Sequence, residues 1–126
     1  MATPSRPLSP HLQVYRWRAT MLSSILNRMT GLILTAAFAL LCIWLMAVAS
    51  GSESYACVAR LLRGPLGVLL LLGVGASLSF HLLTGVRHLL WDAGLGFDKS
   101  TARRTSWLVF AGTVILTLGL LVWVLA

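Results

Sequence analysis

Long uncharged stretches separated by short polar ones are the dominant pattern of this 126-residue chain. No Asp, Glu, Lys or Arg falls between Arg28 and Glu53, between Arg63 and Arg87, or after Arg104. These stretches hold 24, 23 and 22 residues, and a helix needs about 20 residues to cross the hydrocarbon core of a membrane. Polar and apolar residues do not alternate within them, which excludes the strands of a membrane barrel. The pattern therefore predicts three membrane-spanning helices.

The polar stretches set the expected boundaries of these helices. Residues 1–18 are polar and contain three prolines, so we expect a segment that lies along the membrane surface. Residues 19–126 are expected to form an all-α anchor domain. Residues 50–58 are predicted to be a turn on the far side of the membrane, and Pro65 is expected to disturb the second helix. The three helices are predicted at about 20–49, 59–91 and 101–126.

Composition and charge agree with a lipid environment and give an orientation. Charged residues make up 10% of the chain, against about 25% in a typical soluble domain. The N-terminal segment and the second connection together carry eight basic residues and two acidic ones. This asymmetry predicts a multi-pass protein of a bacterial inner membrane with its N-terminus in the cytoplasm. In a mitochondrion, the N-terminus would lie in the matrix. The net charge of +7 is therefore a topology signal, and no nucleic-acid partner is expected.

One ionisable side chain, His81, lies within the apolar length of the second helix. Thr84, Gly85, His88 and Asp92 follow it at intervals that place them on the same helical face. An ionisable residue inside a membrane is a candidate for function, and His is a usual ligand of haem iron. A His that hydrogen-bonds to a neighbouring helix is the competing interpretation, and the residues alone leave both open. If two His bind one haem, the other must come from another chain.

A second set of polar residues lies near the start of the first helix. Ser24, Arg28 and Gly31 are spaced by four and three residues and share one face. The hydroxyl and the guanidinium could donate hydrogen bonds to a carbonyl oxygen or to a propionate. Alternatively, Ser24 bonds back to its own helix and Arg28 extends towards the headgroups as a topology charge. Without further information the alternative is favoured.

Three ordered motifs resemble those of one family, the cytochrome b membrane-anchor subunits (cytochrome b556) of succinate dehydrogenase in respiratory complex II. Residues 6–16 (RPLSPHLQVYR) are similar to its N-terminal motif, residues 23–31 (SSILNRMTG) to its second and residues 81–92 (HLLTGVRHLLWD) to its third. The resemblance covers nearly the whole chain. It implies half of a heterodimeric helical bundle, completed by a second small anchor subunit and holding an iron–sulfur subunit and a flavoprotein subunit at the membrane.

The resemblance also implies cofactors and site residues. Electrons from succinate would pass through FAD and iron–sulfur clusters in the partner subunits to a quinone near the cytoplasmic face. His81 would supply one axial ligand of haem b, and the second anchor subunit the other. His88, Arg87 and Arg28 would lie near the haem propionates. The residues implied for the quinone site are Ser24, Arg28 and Asp92.

The second motif departs from the family at Asn27, where the family usually has His. The substitution removes a group that could contact a propionate or handle a proton, and it leaves His81 unchanged. Two other interpretations remain. One is a haem-free structural anchor of the same complex, and the other is an accessory protein of a channel or transporter. The latter would need a continuous polar stripe along a helix, whereas the polar groups here gather at one end.

Overall fold

The structure, a computed structural model, describes the backbone of residues 16–125 and the side chains of residues 16–123. Residues 1–15, most of the predicted surface segment and of the first motif, lie outside the described residues. The described part folds as four helices without strands, and three of the helices are long and apolar enough to cross a membrane. The predicted all-α membrane fold with three spans is confirmed. The helices are α1 (Ala19–Ala49), α2 (Ser52–Arg63), α3 (Pro65–Asp92) and α4 (Lys99–Leu125).

The predicted turn at residues 50–58 is wrong, as is the start of the second span at residue 59. Residues 52–63 form the separate helix α2, and the span begins at Pro65. Proline lacks the N–H that a continuous helix would need, and it favours an extended residue before it. Gly64 is extended accordingly, at φ −70° and ψ 164°. The helix α2 also carries its acidic residue in the first turn and its basic residues in the last, which suits the helix dipole.

The helix α3 lies at the centre and contacts each of the other three helices. Its approach to α4 is close, because a Cβ atom added to Gly75 would lie 2.9 Å from Leu120 Cδ2 and one added to Gly112 would lie 2.9 Å from Leu83 Cδ1. Small residues at helix contacts are expected in membranes, where lipid removes most of the hydrophobic drive for helices to associate. The ends of the Leu120 and Leu83 side chains therefore occupy the space beside these two glycines on the facing helix.

The connection between α3 and α4 is a short turn that contains Gly94, Gly96 and Asp98. Both glycines have positive φ, at 80° and 79°. The Asp98 carboxylate accepts hydrogen bonds from the Ser100 hydroxyl at 2.6 Å and from the Thr101 backbone N–H at 2.8 Å. These bonds cap α4 and hold the pKa of the Asp98 carboxyl below its usual range. The cap therefore stabilises the fold above the unfolded pKa of about 3.9 and is lost as the pH falls further.

The two ends of the bundle are packed differently. We call the end that contains Ser23, Arg87 and Ser106 the Arg87 end, and the opposite end, at the α1–α2 connection, the Trp44 end. Among the described side chains, the largest that are fully buried are Thr84, Ser23 and Ser106, which all lie towards the Arg87 end and are all polar. The polar groups thus lie inside and the large apolar side chains face outward, the arrangement expected of a protein surrounded by lipid.

Candidate functional site

The guanidinium of Arg87 joins three helices at the Arg87 end. Its side chain projects from α3, Nη1 donates to Ser106 Oγ on α4 at 2.7 Å, and Nη2 donates to Ser23 Oγ on α1 at 2.7 Å. Its Cζ lies 4.6 Å from the ring centroid of Trp91, within cation–π range. The residue is only 4% exposed. Arg87 therefore links three helices through buried hydrogen bonds. Its position in the motif did not predict these contacts.

The charge of Arg87 is only partly compensated within the described chain. Its Nε atom is buried without a hydrogen-bond partner, and no carboxylate among residues 16–123 pairs with it. A buried cation is costly unless it is paired. The arrangement therefore favours a negatively charged group close to this end of the bundle, supplied from outside the described residues.

A second polar contact joins α1 to α3 next to this cluster. Thr84 Oγ1 donates to Asn27 Oδ1 at 2.7 Å, and the backbone carbonyl of Phe80, at 2.9 Å, is the next nearest acceptor. Thr84 is completely buried. Asn27, the position that departs from the family motif, thus faces a hydroxyl of the neighbouring helix. Its amide oxygen accepts the hydrogen bond of a residue that has no access to water.

The imidazole of His81 lies against α1. Its Nδ1 atom is 3.2 Å from Thr30 Oγ1, and a Cβ atom added to Gly31 would lie 3.3 Å from its Cε1 atom. The residue is half-buried, and Nε2 has no hydrogen-bond partner within residues 16–123. The competing interpretation of His81, a bond to a neighbouring helix, is therefore correct for Nδ1, while Nε2 stays available to a ligand.

An apolar groove of about 530 Å³ begins one helical turn from His81. It runs between α1 and α3 towards the Trp44 end. Leu78 and Val74 continue the face of His81, and Leu34 and Phe38 follow Gly31 on α1. The other lining residues are apolar as well: Ala37, Leu40, Leu41, Trp44, Leu62, Leu70 and Leu71. An imidazole at the end of an apolar groove can present a nitrogen lone pair to the metal of a flat apolar cofactor.

His88 and Asp92 continue the His81 face towards the end of α3, and both are exposed. His88 Nδ1 lies 2.7 Å from the backbone oxygen of Thr84. Because a carbonyl only accepts, Nδ1 carries the proton in the neutral ring and Nε2 is left with a lone pair. The ring also meets Trp91 edge-on, at 5.2 Å between centroids. His88 and Asp92 thus offer polar groups to whatever covers this face.

Ser24 and Arg28 are exposed on α1, beside the face that packs on α3. Neither side chain makes a hydrogen bond within residues 16–123. The suggestion that Ser24 bonds back to its own helix is therefore wrong. Both residues share a helical face with Gly31, where an added Cβ atom would lie 3.3 Å from His81 Cε1. The candidate residues thus divide into an inward pair, His81 and Arg87, and an outward set of four.

Three residues of this region were missed by the sequence analysis. Ser23 and Ser106 hold the two ends of the Arg87 guanidinium, and Thr30 holds the His81 ring. Ser23 and Thr30 lie within a motif that was quoted, but the pattern alone gave no reason to prefer them to their neighbours. Ser106 offered no signal beyond being a hydroxyl residue in the first turns of an apolar helix.

Comparison with known proteins identifies the family. The family described as succinate dehydrogenase/fumarate reductase transmembrane subunit matches residues 2–120. The chain is 42% identical over 112 residues to the succinate dehydrogenase cytochrome b556 subunit of Paracoccus denitrificans, covering 89% of this chain and 86% of that protein. It is 36% identical over 119 residues to the protein of the same name from Rickettsia conorii (94% and 91% coverage). It is 34% identical over 118 residues to the mitochondrial cytochrome b560 subunit of Sus scrofa (92% and 70% coverage). The chain belongs to the family of succinate dehydrogenase/fumarate reductase transmembrane subunits.

Proposed function

We propose that this chain is the cytochrome b anchor subunit of a succinate:quinone oxidoreductase, that it supplies one axial ligand of haem b, and that it forms part of the quinone-reduction site. The observation that carries the proposal is the environment of His81, whose Nε2 atom is uncommitted at the end of an apolar groove. The names of the relatives, which include cytochrome b556 and cytochrome b560, support the same cofactor.

The described residues fit a haem. His81 Nε2 would bind the iron, the apolar groove would cover part of the macrocycle, and the uncompensated charge of Arg87 would favour the negatively charged propionates. His88 and Arg28 flank this region from α3 and α1 and would contact the propionates directly. His88 lies two turns from His81 on the same helix, so the two side chains could not both bind one iron, and we assign the other ligand to a second small anchor subunit. When bound, the haem supplies one-electron transfer.

The quinone site is proposed on the outward set. Ser24 and Arg28 have no partner within residues 16–123, so their donors are free for a quinone carbonyl oxygen. A positioned cation stabilises negative charge as it develops on that oxygen. Reduction of a quinone also consumes two protons, which requires access to water. Asp92, exposed at the end of α3, lies on the side where protons would enter.

The proposal also includes a topology and a set of partners. We place the Arg87 end on the cytoplasmic side of a bacterial inner membrane, or on the matrix side in a mitochondrion, following the distribution of basic residues. There it would meet an iron–sulfur subunit, which receives electrons from a flavoprotein subunit that binds FAD and oxidises succinate. The chain itself would perform no dehydrogenation.

The decisive experiment replaces His81 by Ala in the assembled complex. We expect the absorption bands of the reduced haem to disappear while the complex still assembles, because the described residues that line the groove offer no imidazole to replace that of His81. The measurement is a dithionite-reduced spectrum together with the subunit composition of the purified complex. A wild-type complex with no haem bands that still reduces quinone would instead establish a haem-free structural anchor.

A further inference from the structure

The hydroxyl of Thr30 has three neighbours that compete for one proton. Thr30 Oγ1 lies 2.9 Å from the backbone oxygen of Leu26, 3.0 Å from that of Asn27 and 3.2 Å from His81 Nδ1. Thr30 is 8% exposed, so water does not replace these partners. The two carbonyl oxygens only accept hydrogen bonds, whereas an imidazole nitrogen donates or accepts according to its tautomer.

The short contacts to the carbonyl oxygens decide where the protons lie. A Thr hydroxyl inside a helix usually donates to the carbonyl three or four residues earlier, and both such oxygens are closer here than His81 Nδ1. The hydroxyl proton then points away from the ring, and a lone pair of Oγ1 points towards it. His81 Nδ1 must therefore carry the ring proton, which leaves the lone pair of the neutral imidazole on Nε2.

The shape of α1 next to Thr30 fixes the ring plane as well. A Cβ atom on residue 31 would lie 3.3 Å from His81 Cε1, closer than carbon atoms usually pack. Gly31 therefore lets the edge of the imidazole approach the helix backbone. With Nδ1 bonded to Thr30 and Cε1 set against Gly31, the ring has one favoured orientation.

We propose that Thr30 is a positioning residue for the haem site: it selects the Nδ1–H tautomer of His81, orients the ring, and so presents the Nε2 lone pair to the iron. This inference rests on the proposed function. A ligating His generally donates its other N–H to a second protein group, which raises the basicity of the ligand. Thr30 supplies that group here, because its hydroxyl oxygen accepts from His81 Nδ1–H while its own O–H donates to the α1 backbone.

The test compares three variants of the whole complex. Thr30→Val removes the hydroxyl at nearly constant volume, and Thr30→Ser keeps it. Thr35→Val is the matched control on the same helix, because the Thr35 hydroxyl bonds only to its own backbone, at Gly31. The readouts are haem content per complex, the midpoint potential of the haem, and the EPR spectrum of the oxidised haem, which responds to the orientation of an axial imidazole.

We expect Thr30→Val to lower haem affinity by about 10- to 100-fold. The midpoint potential should move to more positive values, because a less basic ligand stabilises ferric iron less. The EPR spectrum of the oxidised haem should change as well. Thr30→Ser and Thr35→Val should match the wild type. If Thr30→Val fails to accumulate, Thr30→Ala removes the same hydroxyl with less crowding and is read in the same way. An unchanged potential and EPR spectrum at full haem content would overturn the inference.

The variant His81→Ala separates this inference from the proposed function. If His81→Ala loses the haem and Thr30→Val behaves as the wild type, His81 is the ligand and only the role of Thr30 is wrong. If His81→Ala keeps the haem bands, the ligand assignment itself fails, and the role of Thr30 fails with it.

Discussion

The Arg87 end and the Trp44 end of the bundle are built from the same helices but held together by different forces. At the Arg87 end, hydrogen bonds of 2.7 Å join α3 to α1 and α4 through Ser23, Ser106 and Asn27. At the Trp44 end, apolar side chains line an open groove between α1 and α3. Lipid competes well with apolar contacts between helices and poorly with buried polar ones. The chain therefore fixes its own geometry where the candidate chemistry lies.

The same difference explains what each end leaves for a partner. The groove at the Trp44 end is wide and apolar, so either a cofactor or a helix of another subunit can fill it. At the Arg87 end, Nη1 and Nη2 of Arg87 are hydrogen-bonded to serines of the neighbouring helices. Arg87 Nε and the outward side chains of Ser24 and Arg28 have no hydrogen-bond partner within residues 16–123. A partner that binds at the Arg87 end can therefore form hydrogen bonds to polar side chains held in fixed positions.

Among variants that test the difference between the two ends, Arg87→Ala is expected to change the stability most. The change removes two charge-assisted hydrogen bonds and leaves a cavity at the junction of three helices, so we expect the free energy of unfolding to fall by about 2–5 kcal/mol. The measurement is unfolding of the complex in mixed detergent micelles. Arg63→Ala is the control at the Trp44 end, where the exposed side chain should contribute less than about 0.5 kcal/mol. Equal losses in the two variants would contradict the difference between the ends.

A smaller effect, on rate rather than stability, is expected from Arg28→Ala. Loss of one donor to a developing oxyanion typically slows a reaction by about 100-fold, equivalent to about 2.7 kcal/mol. Quinone reduction should slow by roughly this factor, while oxidation of succinate with an artificial dye acceptor stays near the wild-type rate. Arg60→Ala, an exposed arginine of α2, should leave both rates unchanged. Parallel loss of both activities would show that Arg28 supports assembly instead of the quinone.

The smallest effect is expected from Thr84→Val. Hydrogen bonds between membrane helices contribute about 0.6 kcal/mol on average and about 1.7 kcal/mol at most, and this variant removes the one that joins Thr84 to Asn27 at 2.7 Å. Thr117→Val is the control, because the Thr117 hydroxyl bonds within its own helix, to the backbone oxygen of Thr113. In mixed micelles, the free energy of unfolding of Thr84→Val should be lower than that of Thr117→Val by about 0.6 to 1.7 kcal/mol. No difference would mean that Asn27 does not contribute to holding α1 against α3.

The spans were predictable because length and lack of charge are enough to identify a membrane helix. The helix α2 was missed because its apolar residues are fewer and its signals, an acid at the start, bases at the end and a Gly-Pro break, are weak one by one. The direction of side chains was less predictable still. Sequence spacing placed His81 on a helical face, but it did not show that Arg87 turns inward to two serines on other helices. Those contacts depend on how the helices are rotated against each other, which no local pattern encodes.

The inward position of Arg87 also has a consequence for how the chain enters the bilayer. Its charge is shielded by Ser23, which is synthesised earlier, and by Ser106, which is synthesised later. Until Ser106 is synthesised, Ser23 is the one of these two serines that is available to the Arg87 guanidinium. The junction of three helices is therefore complete only when α4 lies beside α3, which makes α4 the last helix to fix the Arg87 side chain.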